Sequence, residues 1–235
     1  MKKRITLICG HYGSGKTEVS INYAIHTAAI LAGASEKKKT ALIDLDIANP
    51  YFRSRELRPL LISKGVDVYS DAFEYETTTD LPALTANARK PLENQDTITI
   101  VDVGGDAAGA RVLNQFRKYF LSGETELVCV VNAKRPETAT IKGVDAHIAA
   151  IRAETGLLVS GIINNTHLLR ETTCEIVWDG ILFAEKLADE LQIPIKFHTC
   201  HEDFFEEIYG KMKSEKINAE LFPMELHMRP TWLDR

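Results

Sequence analysis

The sequence has 235 residues, a formal net charge of −5, 45% hydrophobic and 26% charged residues, which is the make-up of one globular α/β-sized domain rather than a disordered chain. The acidic balance argues against a nucleic-acid partner, whose phosphates demand a basic face. No apolar run reaches the ~20 residues of a membrane span and no signal-peptide pattern opens the chain, so a cytoplasmic protein with no membrane span is expected.

In chain order, strand-like apolar runs alternate with helical patterns. Residues 4–9 form the first such run, and a glycine-rich segment follows it directly. Residues 17–32 carry Val19, Ile21, Tyr23, Ala24, Ala28 and Leu31 at helical spacing, with Gly33 placed to end the helix. Glu36 to Lys39 reads as a solvated turn. Runs 40–45 and 66–70 are the next two strands, and 71–94 is a polar connection that contains a helix. Strand 97–103 precedes a helical stretch, 107–121, with Val112, Leu113, Phe116 and Phe120 on one face. Strands 126–132, 157–164 and 193–198 then alternate with helices 137–155 and 181–191. Residues 212–235, with Pro223 and Pro230, read as a tail packed along the sheet edge.

Strands that are apolar throughout suit a parallel sheet covered on both faces. Strand–helix alternation implies βαβ units with right-handed crossovers. The expected fold is therefore a three-layer α/β domain, 1–235, with a mostly parallel sheet of about seven strands. Cys9, Cys129, Cys174 and Cys200 contain no C-x-x-C pair and read as free thiols.

The pattern G-x-x-x-x-G-K-[ST] is met by Gly10, Gly15, Lys16 and Thr17. Glycines let the backbone wrap phosphate oxygens, and the N–H groups form an anion nest at a helix N-terminus. Lys16 would reach the β- and γ-phosphates and the Thr17 hydroxyl a magnesium ion. The strand before and the helix after are the context a phosphate loop requires. Gly10, Gly13, Ser14, Gly15, Lys16, Thr17 and Glu18 are the candidate nucleotide-binding residues of this segment.

A phosphate loop also needs an acid at the end of another strand to hold Mg²⁺. Asp102 ends the run Thr97 to Val101 and opens a Val103-Gly104-Gly105-Asp106 loop; a helix cap is its other reading. Asp44 and Asp46 close the second strand on one side of it, by the period of two. Two acids facing one way need a cation to offset them, unless the strand end is solvated. Thr17, Asp44 and Asp102 are the candidate metal ligands.

The three segments GHYGSGKT, IDLDIANP and IVDVGGD together resemble the MinD/ParA branch of deviant P-loop ATPases, the SIMIBI class, over roughly residues 4–198. The chain is also similar to cobyrinic-acid-synthase-like nucleotide-binding proteins. The resemblance implies ATP and Mg²⁺, with Lys16, Asp46 and Asp106 as catalytic groups. Asp46 matches the aspartate that orients attacking water, and Asp102 and Asp106 match a switch-loop acid pair. Asn165, after strand 161–164, matches an adenine-reading asparagine, although Asn164 and Asn165 also suit an ordinary turn. A guanine-specific N-K-x-D is absent.

Two positions depart from that family. His11 stands where its signature lysine would fall, and Gly109 where a cluster cysteine would. The function implied is an ATP-driven switch acting on an unknown protein partner, with a nucleotide-dependent homodimer possible. A small-molecule kinase or amide ligase is one alternative. A GTP-dependent metal-insertion chaperone is another, because His198, Cys200 and His201 form H-x-C-H, which also suits a strand end and loop.

Overall fold

The computed structural model describes residues 3–34, 37–46, 57–70, 82–121 and 123–228, of which 82–86 by backbone alone. What was expected of residues 47–50, 71–81 and 229–235 lies outside these.

Eight strands make one sheet: β1 (Ile5–Cys9), β2 (Lys39–Asp44), β3 (Val66–Tyr69), β4 (Thr97–Asp102), β5 (Thr125–Val131), β6 (Val159–Asn164), β7 (Ile195–His201) and β8 (Leu221–Met224). Their order is β3-β2-β4-β1-β5-β6-β7-β8, and every pairing is parallel. The central strands are apolar on both faces because both faces are covered. In β1, Ile5, Leu7 and Cys9 join one core while Ile8 joins the other, as the period of two requires.

The crossover rule places the helices. Connections that step from β1 to β2 and from β2 to β3 run one way across the sheet. Their helices, α1 (Lys16–Gly33) and α2 (Arg58–Ser63), pack on the Ile8 face through Val19, Ile21, Ala24 and Leu61. Connections that step the other way put α3 (Pro82–Glu93), α4 (Ala107–Ala110), α5 (Arg117–Phe120) and α6 (Ile141–Thr155) on the Leu7 face, through Leu92, Ala110, Phe120 and Ile148. Two further helices, α7 (Cys174–Leu191) and α8 (Phe205–Ser214), share a smaller core of Val177, Trp178, Ile181, Ile208 and Met212. The result is three layers.

Three features differ from the expectation. Among the described residues the sheet has eight strands where about seven were expected, because the tail adds β8 beside β7. Pro223 obscures it in the sequence, yet a proline is tolerated on an edge strand, where an N–H has no ladder partner to lose. The stretch 107–121 is not one helix but α4, a 3₁₀ segment over Arg111–Phe116, and α5. Helix α7 starts seven residues before 181, where the Thr173 hydroxyl accepts the Ile176 N–H at 3.4 Å. Helix α8 has only Ile208 and Met212 buried among charged residues, too thin an apolar stripe to read in advance.

Candidate nucleotide site

The carboxyl end of β1 runs through residues 10–15 into α1, whose first residue is Lys16. Gly13 and Gly15 have φ of +78° and +80°, left-handed values that side chains resist. A Cβ on Gly15 would also collide with the Asn165 amide, and one on Gly13 would lie 2.9 Å from Arg135 Nε. Ser14 N–H donates to the His11 carbonyl at 3.0 Å, closing the turn, while Ser14 Oγ is buried without a hydrogen-bond partner. Lys16 and Thr17 are buried in the first turn of α1, behind the loop.

The acids come from the two strands on one side of β1. Register sets Asp44 of β2 beside Asp102 of β4, and the Asp46 N–H donates to Asp44 Oδ1 at 3.1 Å. Strand β2 ends at Asp44, so Asp46 lies just past it; both are buried. Lys16 Nζ is 2.6 Å from Asp46 Oδ2. Burial alone would lower the Lys16 pKa, but the nearby Asp102, Asp46 and Asp44 outweigh it and hold the pKa above its usual value.

Asp102 is fully buried, and burial pushes its carboxyl up to about 7; Lys16 draws it down, Asp44 raises it, and a hydrogen bond with the Thr17 hydroxyl lowers it. Its Oδ1 is 3.3 Å from Ser20 Oγ, whereas its Oδ2 has no hydrogen-bond partner. An orphaned carboxylate oxygen beside a second acid and a threonine hydroxyl is a cradle for a hard divalent cation. Thr17, Asp44 and Asp102 thus come together as a set that fits Mg²⁺. Among the described residues no three His, Cys, Asp or Glu side chains form an all-protein metal cage. Mg²⁺ does not need one, since it is usually held by one or two carboxylates, waters and substrate phosphates.

The other candidate residues make structural contacts of their own. Asp106 caps α4, accepting the Gly109 N–H at 2.6 Å. Asn165 donates from Nδ2 to the Ser14 carbonyl at 2.8 Å and accepts the Thr199 hydroxyl at 2.6 Å, so it braces the loop against β7, and it also lines the cavity beside the loop. Glu18 accepts the backbone N–H of His227 at 2.6 Å and of Met228 at 3.0 Å. Two further bonds join Asn22 to the backbone of Glu225, both at 2.9 Å. Glu18 is therefore a clamp for the segment after β8, a role the sequence pattern did not suggest. Glu18→Ala should cost about 1.5–3 kcal/mol, the range for hydrogen bonds to a charged group. Thermal melting and limited proteolysis check this: an unchanged melt with an equally protected segment at 225–228 would remove the clamp from the account.

His11 faces α6. Its ring lies edge-on to His147 with centroids 5.4 Å apart, and its Nδ1 is 3.9 Å from Glu137 Oε2. Burial lowers the His147 pKa to about 4, and His11 beside it acts in the same sense. The H-x-C-H residues diverge: His198 Nε2 pairs with Glu185 at 2.9 Å, His201 Nδ1 lies 3.2 Å from Asp203 Oδ2, and Cys200 packs with the Trp178 cluster.

A cavity of about 430 Å³ opens beside the loop. Its lining includes Gly15, Lys16 and Thr17 of the loop, the charged Arg135, and the apolar Leu169, Phe204, Met224 and Met228. Arg135, Thr199 and the β8 segment were not singled out from sequence. Their relation to the loop depends on strand order, which a single sequence does not display.

No protein-family model matches the sequence, and no curated protein matches it. Solved structures do. FtsY from Thermotoga maritima is 22% identical with a TM-score of 0.52, over 84% of this chain and 62% of that one. Chloroplast FtsY from Physcomitrella patens is 18% identical with a TM-score of 0.54, over 84% and 58%. The signal recognition particle 54 kDa protein from Aeropyrum pernix, in complex with GDP, is 21% identical with a TM-score of 0.53, over 92% and 48%. The chain shares with them a three-layer α/β fold built on a parallel sheet. It spans 62% or less of the length of these neighbours, and at this identity the likeness is one of fold. Among the described residues no helix is long and apolar enough to cross a membrane.

Proposed function

We propose that this site binds Mg·ATP and hydrolyses it as a conformational switch acting on a protein partner, with a second copy of the chain as one such partner. The observation that carries the reading is the buried set behind the loop: Lys16 among Asp44, Asp46 and Asp102, with one Asp102 oxygen orphaned. Mg²⁺ bound by Thr17, Asp44 and Asp102 would neutralise charge on the phosphates. The choice of base rests on the cavity wall. Guanine presents paired N1–H and N2–H donors, which a single carboxylate with both oxygens open to the site reads best. Among the described residues Glu18 is the carboxylate lining the cavity, and each of its oxygens is already engaged by a backbone N–H. Adenine can be held without such a pair, and the apolar side chains Leu169, Phe204 and Met228 suit its faces.

The switch follows from the ion pair. Lys16 is held by Asp46 before nucleotide arrives. Phosphate oxygens compete for the ammonium, and as Lys16 turns to them Asp46 is released to orient the attacking water. The Asp102–Gly109 segment, capped by Asp106, follows the change at Asp102 and carries it to the surface. Asp46→Asn removes the competitor for Lys16 and the water-orienting carboxylate together. Its affinity for a non-hydrolysable ATP analogue should equal or exceed that of the wild type, while turnover falls on the order of 10²-fold. Wild-type turnover in this variant would rule out the role of Asp46.

A further inference from the structure

The geometry points to Arg135 as a catalytic residue that binds the phosphates of the nucleotide from within the same chain, an inference that rests on the nucleotide reading above. Strands β1 and β5 are neighbours, with Cys9 opposite Cys129, so the chain leaving β5 emerges beside the phosphate loop. Its backbone there is fixed: Arg135 N–H donates to the Asn132 carbonyl at 3.1 Å, the Arg135 carbonyl accepts the Thr138 N–H at 3.0 Å, and Pro136 starts a 3₁₀ turn. The side chain crosses Gly13, donating from Nε to the Gly13 carbonyl at 2.9 Å. A Cβ on Gly13 would lie 3.1 Å from Cζ and 3.4 Å from Nη2, so loop glycine and arginine are fitted to each other. Arg135 is half-buried and lines the cavity alongside Lys16 and Thr17.

Charge supplies the second argument. Lys16 faces three carboxylates, so the floor of the site is net negative before any phosphate enters. A divalent cation offsets two of those charges and leaves the polyphosphate short of positive partners. His11 is turned toward α6 and His147. Arg170 lines the cavity too, from the 3₁₀ turn Leu169–Glu171, whereas Arg135 is hydrogen-bonded to the loop itself. The Nε bond holds the Arg135 fork in place over the loop, and its two Nη groups make no hydrogen bond among the described residues. A guanidinium so pinned loses little entropy on binding phosphate oxygens and can stabilise charge that develops during transfer. Because it is anchored to its own loop, its charge acts in cis.

The test uses the full chain and two variants: Arg135→Met, which keeps the stem across Gly13, and Arg135→Lys, which keeps the charge. Both variants should fold, and melting without nucleotide should fall by no more than the loss of the one Nε–Gly13 hydrogen bond. Arg135→Met should bind a non-hydrolysable ATP analogue about 10-fold more weakly and turn over ATP about 10³-fold more slowly, the lower end for an arginine of this kind. Arg135→Lys should recover part of both losses. An equimolar mixture of Arg135→Met with Lys16→Ala should show only the summed activities. Wild-type affinity and turnover in Arg135→Met would overturn the inference, as would a mixture that regains activity, which would place the guanidinium across chains. A wild type that gives no response to Mg·ATP would overturn the nucleotide reading, and this one with it.

Discussion

Lys16→Ala should lose two things at once: the stability of the free protein and its response to nucleotide. Lys16 is buried against Asp46 at 2.6 Å with Asp44 and Asp102 close by. Removing the one cation leaves buried carboxylates uncompensated, which costs about 3–5 kcal/mol in comparable buried pairs. Nucleotide at 100-fold over its dissociation constant should stabilise the wild type by about 2.7 kcal/mol and the variant not at all. The double variant Lys16→Met with Asp46→Asn separates the two effects. It removes a charge of each sign, so the free protein should regain most of its stability, yet Mg·ATP should still produce no melting shift. Melting curves with and without Mg·ATP read both. A nucleotide shift that survives in the double variant would remove Lys16 from the phosphate site.

Asp102→Asn should act in opposite directions on the free and the liganded protein. Burial raises the Asp102 carboxyl from 3.8 to about 7 in the folded state. The unfolded chain gives up this proton near pH 4, while the fold holds it until about pH 7, so the cost of the buried charge grows across that window and is complete above it. Asparagine carries no charge. The free variant should therefore be more stable than the wild type at pH 8, by an amount on the order of a few kcal/mol, and the advantage should vanish as pH falls toward 4. Magnesium should reverse the ranking. In the wild type Asp102 would be one of the residues that hold the ion, so Mg²⁺ should tighten ATP binding on the order of 10²-fold, whereas the asparagine variant should lose most of that dependence. Equal magnesium dependence in the two proteins would show that Asp102 is not a ligand.

The parts legible in the sequence were those whose causes are local. A phosphate loop is eight consecutive residues, and the strand and helix flanking it follow from apolar runs and periodicity. Asp44 and Asp102 were readable because each stands where an apolar run stops. What the sequence hid depends on which strands are neighbours. Asn165 and Glu18 carry suitable chemistry for a ligand, yet the fold also brings Ser14, Thr199 and the segment after β8 to them, and those contacts give them a bracing task that strand order alone reveals. Arg135 sits in an unremarkable stretch and acquires meaning only because β5 lies beside β1. Strand β8 was hidden by its proline, and the helix expected over 107–121 by its apolar face, which is equally served by a broken 3₁₀ path around Phe116.

Calorimetric titration of the purified full chain with ATP and with GTP, each in Mg²⁺ and again in a chelator, decides whether this site takes Mg·ATP. A Mg·ATP site should bind one nucleotide per chain, with ATP held at least about 10-fold more tightly than GTP and most of that affinity lost in the chelator. GTP binding as tight as ATP, or affinity indifferent to Mg²⁺, would contradict that reading.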